Sequence, residues 1–144
     1  MQEYAYVVNV DGVVVRDDEY LLIERGADEA HASGLLAFPG GKVEQPPGGS
    51  DTIERTVRRE IFEEVGVEVG TVEYVHSSTF EANSVQCLNI VTRCEYVSGE
   101  AYPRAEGEVA ATHWLSYDEI KSHEEVPAFT ERFADRVEEF RRPA

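Results

Sequence analysis

A layered domain of mixed strands and helices, α/β or α+β, is what this sequence predicts, and three observations predict it. Valine- and tyrosine-rich runs of strand character are interspersed with segments of helical period along 144 residues. The length is that of one domain, residues 1–144, and 42% hydrophobic content suffices for a sizeable core and argues against disorder. No internal repeat or linker-like stretch divides the chain.

The first strand is expected between Tyr4 and Val15, broken at the turn-like Asp11-Gly12. Arg16-Asp17-Asp18-Glu19 then leads into an apolar hairpin partner, Tyr20 to Ile23. Gly26 to Gly34 reads as a polar loop, and Leu35 to Phe38 as a short apolar stretch ending in Pro39-Gly40-Gly41. The cluster Gln45-Pro46-Pro47-Gly48-Gly49-Ser50 excludes helix and central strand. From Asp51 to Val65 the period is helical; Asp51 and Glu54 have capping-box spacing, and Gly66 is a stop signal. Val67 to Val75 and Val85 to Val97 read as strands. The second carries early apolar residues on both parities (Val85, Cys87, Leu88, Ile90, Val91), as expected of a strand covered on both faces. Ser116 and Glu119 are spaced to cap a short helix, and Phe129, Phe133, Val137 and Phe140 form one stripe of a C-terminal helix. Trp114 and Phe80 are expected to pack in the core rather than stack on a ligand.

Composition narrows the function. Asp and Glu number 29 against 13 Lys and Arg, a formal charge of −16 that disfavours nucleic acid and anionic membranes as partners. Only Lys42 and Lys121 of those basic residues are lysines. This acid excess with scarce lysine resembles the composition of proteins from salt-loving organisms. No apolar run reaches the roughly 18 to 20 residues of a membrane span, and no signal peptide opens the chain, so a cytoplasmic location is expected. Cys87 and Cys94, seven apart in one strand, fall on opposite faces and are expected as buried, unbridged thiols. His31, His76, His113 and His123 show no metal-ligand spacing and are expected to be structural or exposed.

The chemistry concentrates in Arg58-Arg59-Glu60-Ile61-Phe62-Glu63-Glu64-Val65-Gly66. At about 100° per residue, Glu60, Glu63 and Glu64 share a sector of roughly 100°. Their sector borders the apolar stripe of Ile53, Val57, Ile61 and Val65 instead of opposing it, and Glu64 falls at the edge of the buried face. Like charges about 6 Å apart repel by roughly 3 kcal/mol at an effective dielectric of about 20. Two readings follow: a solvated helix whose acids pair with neighbours such as Arg55 and Arg59, or a cluster that holds a divalent cation. Oxygen-only ligands select a hard ion, Mg²⁺ or Mn²⁺. Glu44, across a short loop, is spaced to approach the same place.

These residues resemble the signature of the Nudix hydrolases. Arg59-Glu60-Ile61-Phe62-Glu63-Glu64-Val65-Gly66-Val67 matches the second half of that motif, and Phe38-Pro39-Gly40-Gly41-Lys42-Val43-Glu44 matches its usual lead-in, the motif proper running over residues 41–67. Two departures stand out. Nine residues instead of five separate Gly41 from the next acid, through the Pro46-Pro47-Gly48-Gly49 loop, and that acid is Asp51 in place of glutamate. Glu108, ahead of Trp114, resembles a second acidic position of the family, and Leu115 to Ile120 resembles its usual ending.

The resemblance implies the Nudix fold, an α/β/α sandwich around a mixed sheet. It implies Mg²⁺-dependent hydrolysis of a pyrophosphate linkage in a nucleoside diphosphate derivative, with Mn²⁺ as the other ion. Glu60, Glu63 and Glu64 are the implied metal ligands, with Glu44 as a further candidate. Glu64 is preferred over Glu108 as general base, and Arg59 should orient a glutamate. Gly40 and Gly41 should allow a tight turn at the site, and Lys42 is either a phosphate contact or a solvated residue. The implied partner is a small nucleotide-type molecule, the implied assembly a monomer or homodimer. The alternative is a Nudix-fold binding or regulatory module without turnover.

Overall fold

The structure is a computed structural model that describes residues 2–27, 33–44 and 49–141. His31 and most of the proline-glycine loop, residues 45–48, lie outside the described residues. After a single 3₁₀ turn (Gln2–Tyr4), β1 (Val7–Arg16) and β2 (Glu19–Arg25) form the expected hairpin. Short strands β3 (Leu36–Ala37) and β4 (Gly40–Lys42) precede α1 (Thr52–Val65). Then come β5 (Glu68–Ala82), β6 (Val85–Ser98), β7 (Val109–Ser116), α2 (Tyr117–Ser122) and α3 (Ala128–Arg141).

The strands form one mixed sheet in the order β3-β2-β1-β6-β5, with β4 also paired to β1 and β7 to β2. β1 and β6 run parallel from Val7↔Cys87 to Val15↔Glu95, and the other pairs are antiparallel. β1 meets β2 only at Val15↔Tyr20 and Arg16↔Glu19. Nearer its start β1 pairs instead with β4, while the end of β2 pairs with β3. The sheet therefore forks, and Phe38-Pro39 joins the two short strands that fill the fork.

Helices cover both faces. Val57, Ile61 and Val65 of α1 are wholly buried against Val10, Val14, Leu21 and Cys94. On the other face Ile120 of α2 and Ala134 and Val137 of α3 pack on Val13, Leu22, Phe38 and Val91. Each of these valines, leucines and isoleucines contributes about 1.5–3 kcal/mol of burial. This is the expected α/β/α sandwich around a mixed sheet.

Several local expectations are corrected. Asp11-Gly12 does not break β1; a Cβ on Gly12 would lie 2.6 Å from both Val57 and Ile61, so the glycine admits α1 close to the sheet. Asp51 precedes α1 in a left-handed conformation (φ 54°) and its side chain caps nothing, whereas the Ser116–Glu119 capping box of α2 forms in full. Gly66 ends α1 as expected, with φ 73° and its N–H bonded to Phe62 O. β5 continues seven residues past Val75 to Ala82, where Asn83 and Ser84, both at positive φ, make the two-residue hairpin turn into β6.

β6 is buried in its middle, at Val91, Thr92 and Cys94, while Val85 at its start is exposed. Cys87 is only partly buried; both thiols are free. Phe80 is 47% exposed and is no core residue, while Trp114 does pack against the core, with the Arg16 guanidinium 3.9 Å over its ring. Of the expected stripe of α3, Val137 is buried and Phe133 packs against the core, while Phe129 and Phe140 are exposed and Thr130 and Ala134 complete the inward face. Small inward residues let α3 approach the short strand, where Thr130 Oγ1 donates to Leu36 O at 2.9 Å.

Candidate active site

Burial of Val57, Ile61 and Val65 fixes the rotation of α1, and that rotation sets the glutamates. Glu64 lies at the edge of the buried face and is only 6% exposed. Its Oε2 accepts a hydrogen bond from the Gly40 N–H at 3.3 Å. Glu60 is mostly covered, while the side chains of Glu63 and Glu44 are 54% and 72% exposed.

The two motif glycines form no turn. They lie in β4, in register with Asp11 and Val10 of β1, and are needed for close approach. A Cβ on Gly40 would sit 2.2 Å from the Val10 carbonyl oxygen, and one on Gly41 would sit 2.4 Å from the Glu60 carboxyl carbon. Arg59 ties the outer acids together: its Nη2 donates to Glu60 at 3.2 Å, with Glu44 at 3.8 Å and Glu63 at 4.0 Å from the same guanidinium.

Burial pushes the Glu64 carboxyl up to about 9; the charges of Glu60, Glu108 and Asp11 push the same way, and the Gly40 N–H opposes them. Glu60 is also raised, chiefly by burial, against the opposing charge of Arg59.

Glu108 arrives from the loop between β6 and β7. The terminal carbonyls of α1, which a helix end leaves without intrahelical donors, hold that loop. Tyr102 N–H bonds Val65 O at 3.1 Å and Arg104 N–H bonds Glu64 O at 2.9 Å. The Arg104 guanidinium stacks over Phe62 at 4.9 Å. Gly26 N–H donates to Glu108 O at 2.8 Å, fixing the other side.

In the fork of the sheet opens a cleft of about 320 Å³. Glu60, Glu64 and Glu108 line it together with Gly40, Gly41 and Lys42, so the fold brings six of the residues singled out in the sequence to one place. Arg59, Glu63 and Glu44 are grouped beside it through the Arg59 contacts and do not line it. Arg25 and Asn9 do, and neither is among the site residues expected from the sequence.

Asn9 belongs to a polar cluster on the sheet. Its Nδ2 donates to Asn89 Oδ1 at 2.7 Å and to Asp11 Oδ1 at 3.2 Å, and Asn89 Nδ2 donates to Asp11 Oδ2 at 3.1 Å. Burial raises the Asp11 carboxyl to about 6, against the lowering effect of both amides and of Arg25. Polar residues interrupting a valine-rich strand were the available signal.

Among the described residues, no three His, Cys, Asp or Glu side chains converge closely enough to hold a metal ion as they stand. The donor set nevertheless fits a hard cation in kind. It is made of carboxylate oxygens, two of them crowded and desolvated, and the missing Cβ at Gly41 leaves room for one of them.

An α/β/α sandwich whose forked sheet faces a glutamate-bearing helix defines the class. The chain belongs to the NUDIX family, whose domain model matches residues 5–137. It is 34% identical over 113 residues to a MutT-like protein of Streptomyces ambofaciens, covering 78% of this chain and 66% of that one. It is also 34% identical over 108 residues to the NAD-capped RNA hydrolase NudC of Pseudomonas aeruginosa, covering 75% of this chain and 35% of that one. The MutT protein of Methanosarcina mazei Go1 superposes with a TM-score of 0.78 at 25% identity over 99% of this chain and all of that one. The chain thus spans about two thirds of the first relative and about a third of the second.

Proposed function

We propose that the chain hydrolyses the pyrophosphate linkage of a small nucleoside diphosphate derivative. The observation that carries this reading is the meeting of Glu60, Glu64 and Glu108 with Arg25 and Lys42 in one cleft. Opposed charges of that kind suit a polyanion whose reacting phosphorus must be reached by water. Glu60, Glu63 and Glu64 would hold Mg²⁺ or Mn²⁺, with Glu44 nearby. Such an ion, when bound, neutralises phosphate oxygens and acidifies a water.

The chain's own residues do the rest. Arg25 and Lys42 bind phosphate oxygens by charge. Arg59 orients Glu60 by the hydrogen bond described above. Glu64, in its ionised form with a bound cation offsetting its buried charge, would accept the proton of the attacking water as the water oxygen bonds to phosphorus, and the bridging P–O bond breaks to release the second phosphate group. Glu108 lines the same cleft, and its charge raises the affinity of Glu64 for a proton.

The relatives named as NAD-capped RNA hydrolases suggest including NAD in the substrate panel. The net charge of −16 favours the free dinucleotide over its RNA-linked form. Phosphate or nucleotide release is to be measured with Mg²⁺ over nucleoside triphosphates, ADP-ribose, NAD and NAD-capped RNA, for wild type and Glu64→Gln. A loss of at least about 10²-fold in the variant is expected, as for other acid–base groups. Equal rates in the two proteins would overturn the role given to Glu64, and no turnover across the panel would support a binding module.

A further inference from the structure

Arg25 and Glu108 line the cleft together, yet they come from different elements, the end of β2 and the loop that enters β7. Where β2 meets β7 the ladder is irregular: Glu24 faces Ala111, Arg25 faces Val109, and Ala110 is the extra residue of a bulge. In an unbroken ladder Ala110 would face Arg25, and Glu108 would fall beside Ala27. The bulge leaves Ala110 exposed, sinks Val109 into the core, and draws Glu108 one residue back, beside Gly26. There the Gly26 N–H donates to Glu108 O at 2.8 Å.

Gly26 has no room for a side chain. A Cβ there would sit 2.2 Å from the Gly107 carbonyl oxygen, 2.7 Å from the Gly107 carbonyl carbon and 3.0 Å from that of Glu108, all of them backbone atoms. Its φ is not positive, so the glycine is needed for space alone. The two sides of this contact are not equally free. On the β2 side the Arg25 N–H bonds Leu35 O at 2.9 Å, the Gly34 N–H bonds Arg25 O at 2.8 Å, and Ser33 Oγ donates to Gly26 O at 3.2 Å. On the other side Glu108 hangs on a short span whose far end, at Arg104 and Ala105, donates to Glu64 O. That span turns at Gly107, with φ 85°. An atom added at Gly26 therefore moves Glu108 and leaves Arg25 in place.

We propose that Gly26 is a positioning residue of this site: it admits the loop backbone to close contact and so sets the Glu108 carboxylate in the cleft with Arg25 and Glu64. The proposal rests on the hydrolytic reading of the preceding section, and it adds a residue that has no side chain to offer substrate or metal. With a Cβ at position 26, the Gly107 carbonyl must recede by about 1 Å to reach ordinary contact near 3.4 Å. A displacement of that size at a reacting site costs about 10²-fold in rate. The Ala110 bulge serves the same end, since a bulge re-aims the side chains next to it.

Initial rates of diphosphate release with Mg²⁺, thermal melts and amide hydrogen exchange are to be compared for wild type, Gly26→Ala, Glu108→Gln and the double variant of the full chain. Gly26→Ala and Glu108→Gln should each lower kcat by about 10²-fold. The double variant should be no slower than the slower single one, because a displaced carboxylate and an absent one are the same loss. Independent defects, as a merely structural role would give, multiply instead to about 10⁴-fold. In Gly26→Ala the Glu108 N–H, bonded to Ala105 O in the wild type, should exchange at least about tenfold faster, while the Gly66 N–H at the end of α1 keeps its rate. Gly107→Ala, strained by its positive φ, disturbs the same contact from the other side; it should give the same pattern, and it carries the test if Gly26→Ala does not fold. A wild-type rate in Gly26→Ala, a wild-type rate in Glu108→Gln, or losses that multiply overturn the proposal. If the wild type turns over nothing in the panel, the hydrolytic reading fails by itself and exchange at Glu108 decides the joint: faster in Gly26→Ala keeps it, unchanged overturns it.

Discussion

Substituting alanine at each of the two adjacent glycines of β4 should separate chemistry from stability. The Cβ of Gly41→Ala would lie 2.4 Å from the Glu60 carboxyl carbon and 2.6 Å from its Oε2. Ordinary contact begins near 3.4 Å, so the carboxylate must retreat by about 1 Å. The three nearest atoms all belong to one flexible side chain. Rotation of Glu60 relieves the clash, at the roughly 0.5–1.5 kcal/mol of an off-rotamer side chain. A reacting constellation displaced by about 1 Å loses on the order of 10²-fold in rate, or about 2.7 kcal/mol of barrier.

Gly40→Ala meets the Val10 carbonyl oxygen at 2.2 Å and the Asp11 Cα at 2.8 Å, which are backbone atoms without that freedom. β4 must part from β1, at about 3 kcal/mol, the upper range for overpacking. Thermal melts and initial rates of diphosphate release on the two variants check the contrast. Gly41→Ala should melt close to wild type and turn over about a hundredfold more slowly; Gly40→Ala should melt roughly 10 °C lower. A fully active Gly41→Ala, or a Gly40→Ala as stable as wild type, would refute the close-approach account of these glycines.

Four further outcomes are expected. The folded Glu64 carboxyl sits near 9, above its unfolded value of 4.5, so the metal-free protein holds this proton and loses stability as pH rises through that window. In EDTA, Glu64→Gln should therefore melt higher than wild type at pH 8 and level with it near pH 4.5; added Mg²⁺ should raise wild type alone. Ser116→Ala should cost about 1 kcal/mol in urea melts, because it removes a formed cap, while Asp51→Ala costs little. Burial lifts the Cys94 thiol to about 11, so a thiol reagent at pH 8 should label Cys87 alone until the chain is unfolded. Screening of the −16 charge should raise the melting temperature from low to molar KCl; indifference to salt would count against a halophilic surface.

The helix that carries the glutamates was legible because its information is local. The period of Val57, Ile61 and Val65 set its buried face, Gly66 set its end, and one turn of arithmetic put Glu64 at the border. The Ser116 box was legible for the same reason. Its counterpart at Asp51 was not, because the same spacing forms a cap only if the incoming backbone is extended, and here it is left-handed.

What was not legible depends on partners remote in sequence. Glycines read as turn formers prove to be gaps, Gly12 opposite α1, Gly40 opposite β1 and Gly41 opposite Glu60, and a gap has no sequence signature until its neighbour is known. Thr130 and Ala134 replace aromatics at the centre of the inward face of α3, where Thr130 bonds the short strand at Leu36 O. Arg25, Asn9 and Glu108 come from three separate elements and meet only because β1 and β2 part company. The sequence by itself determined that three glutamates gather on one side of one helix, at the border of its buried face. Only the tertiary structure decided which of them share one cleft, because the branching of a sheet is settled by hydrogen bonds between strands and not by the composition of any one strand.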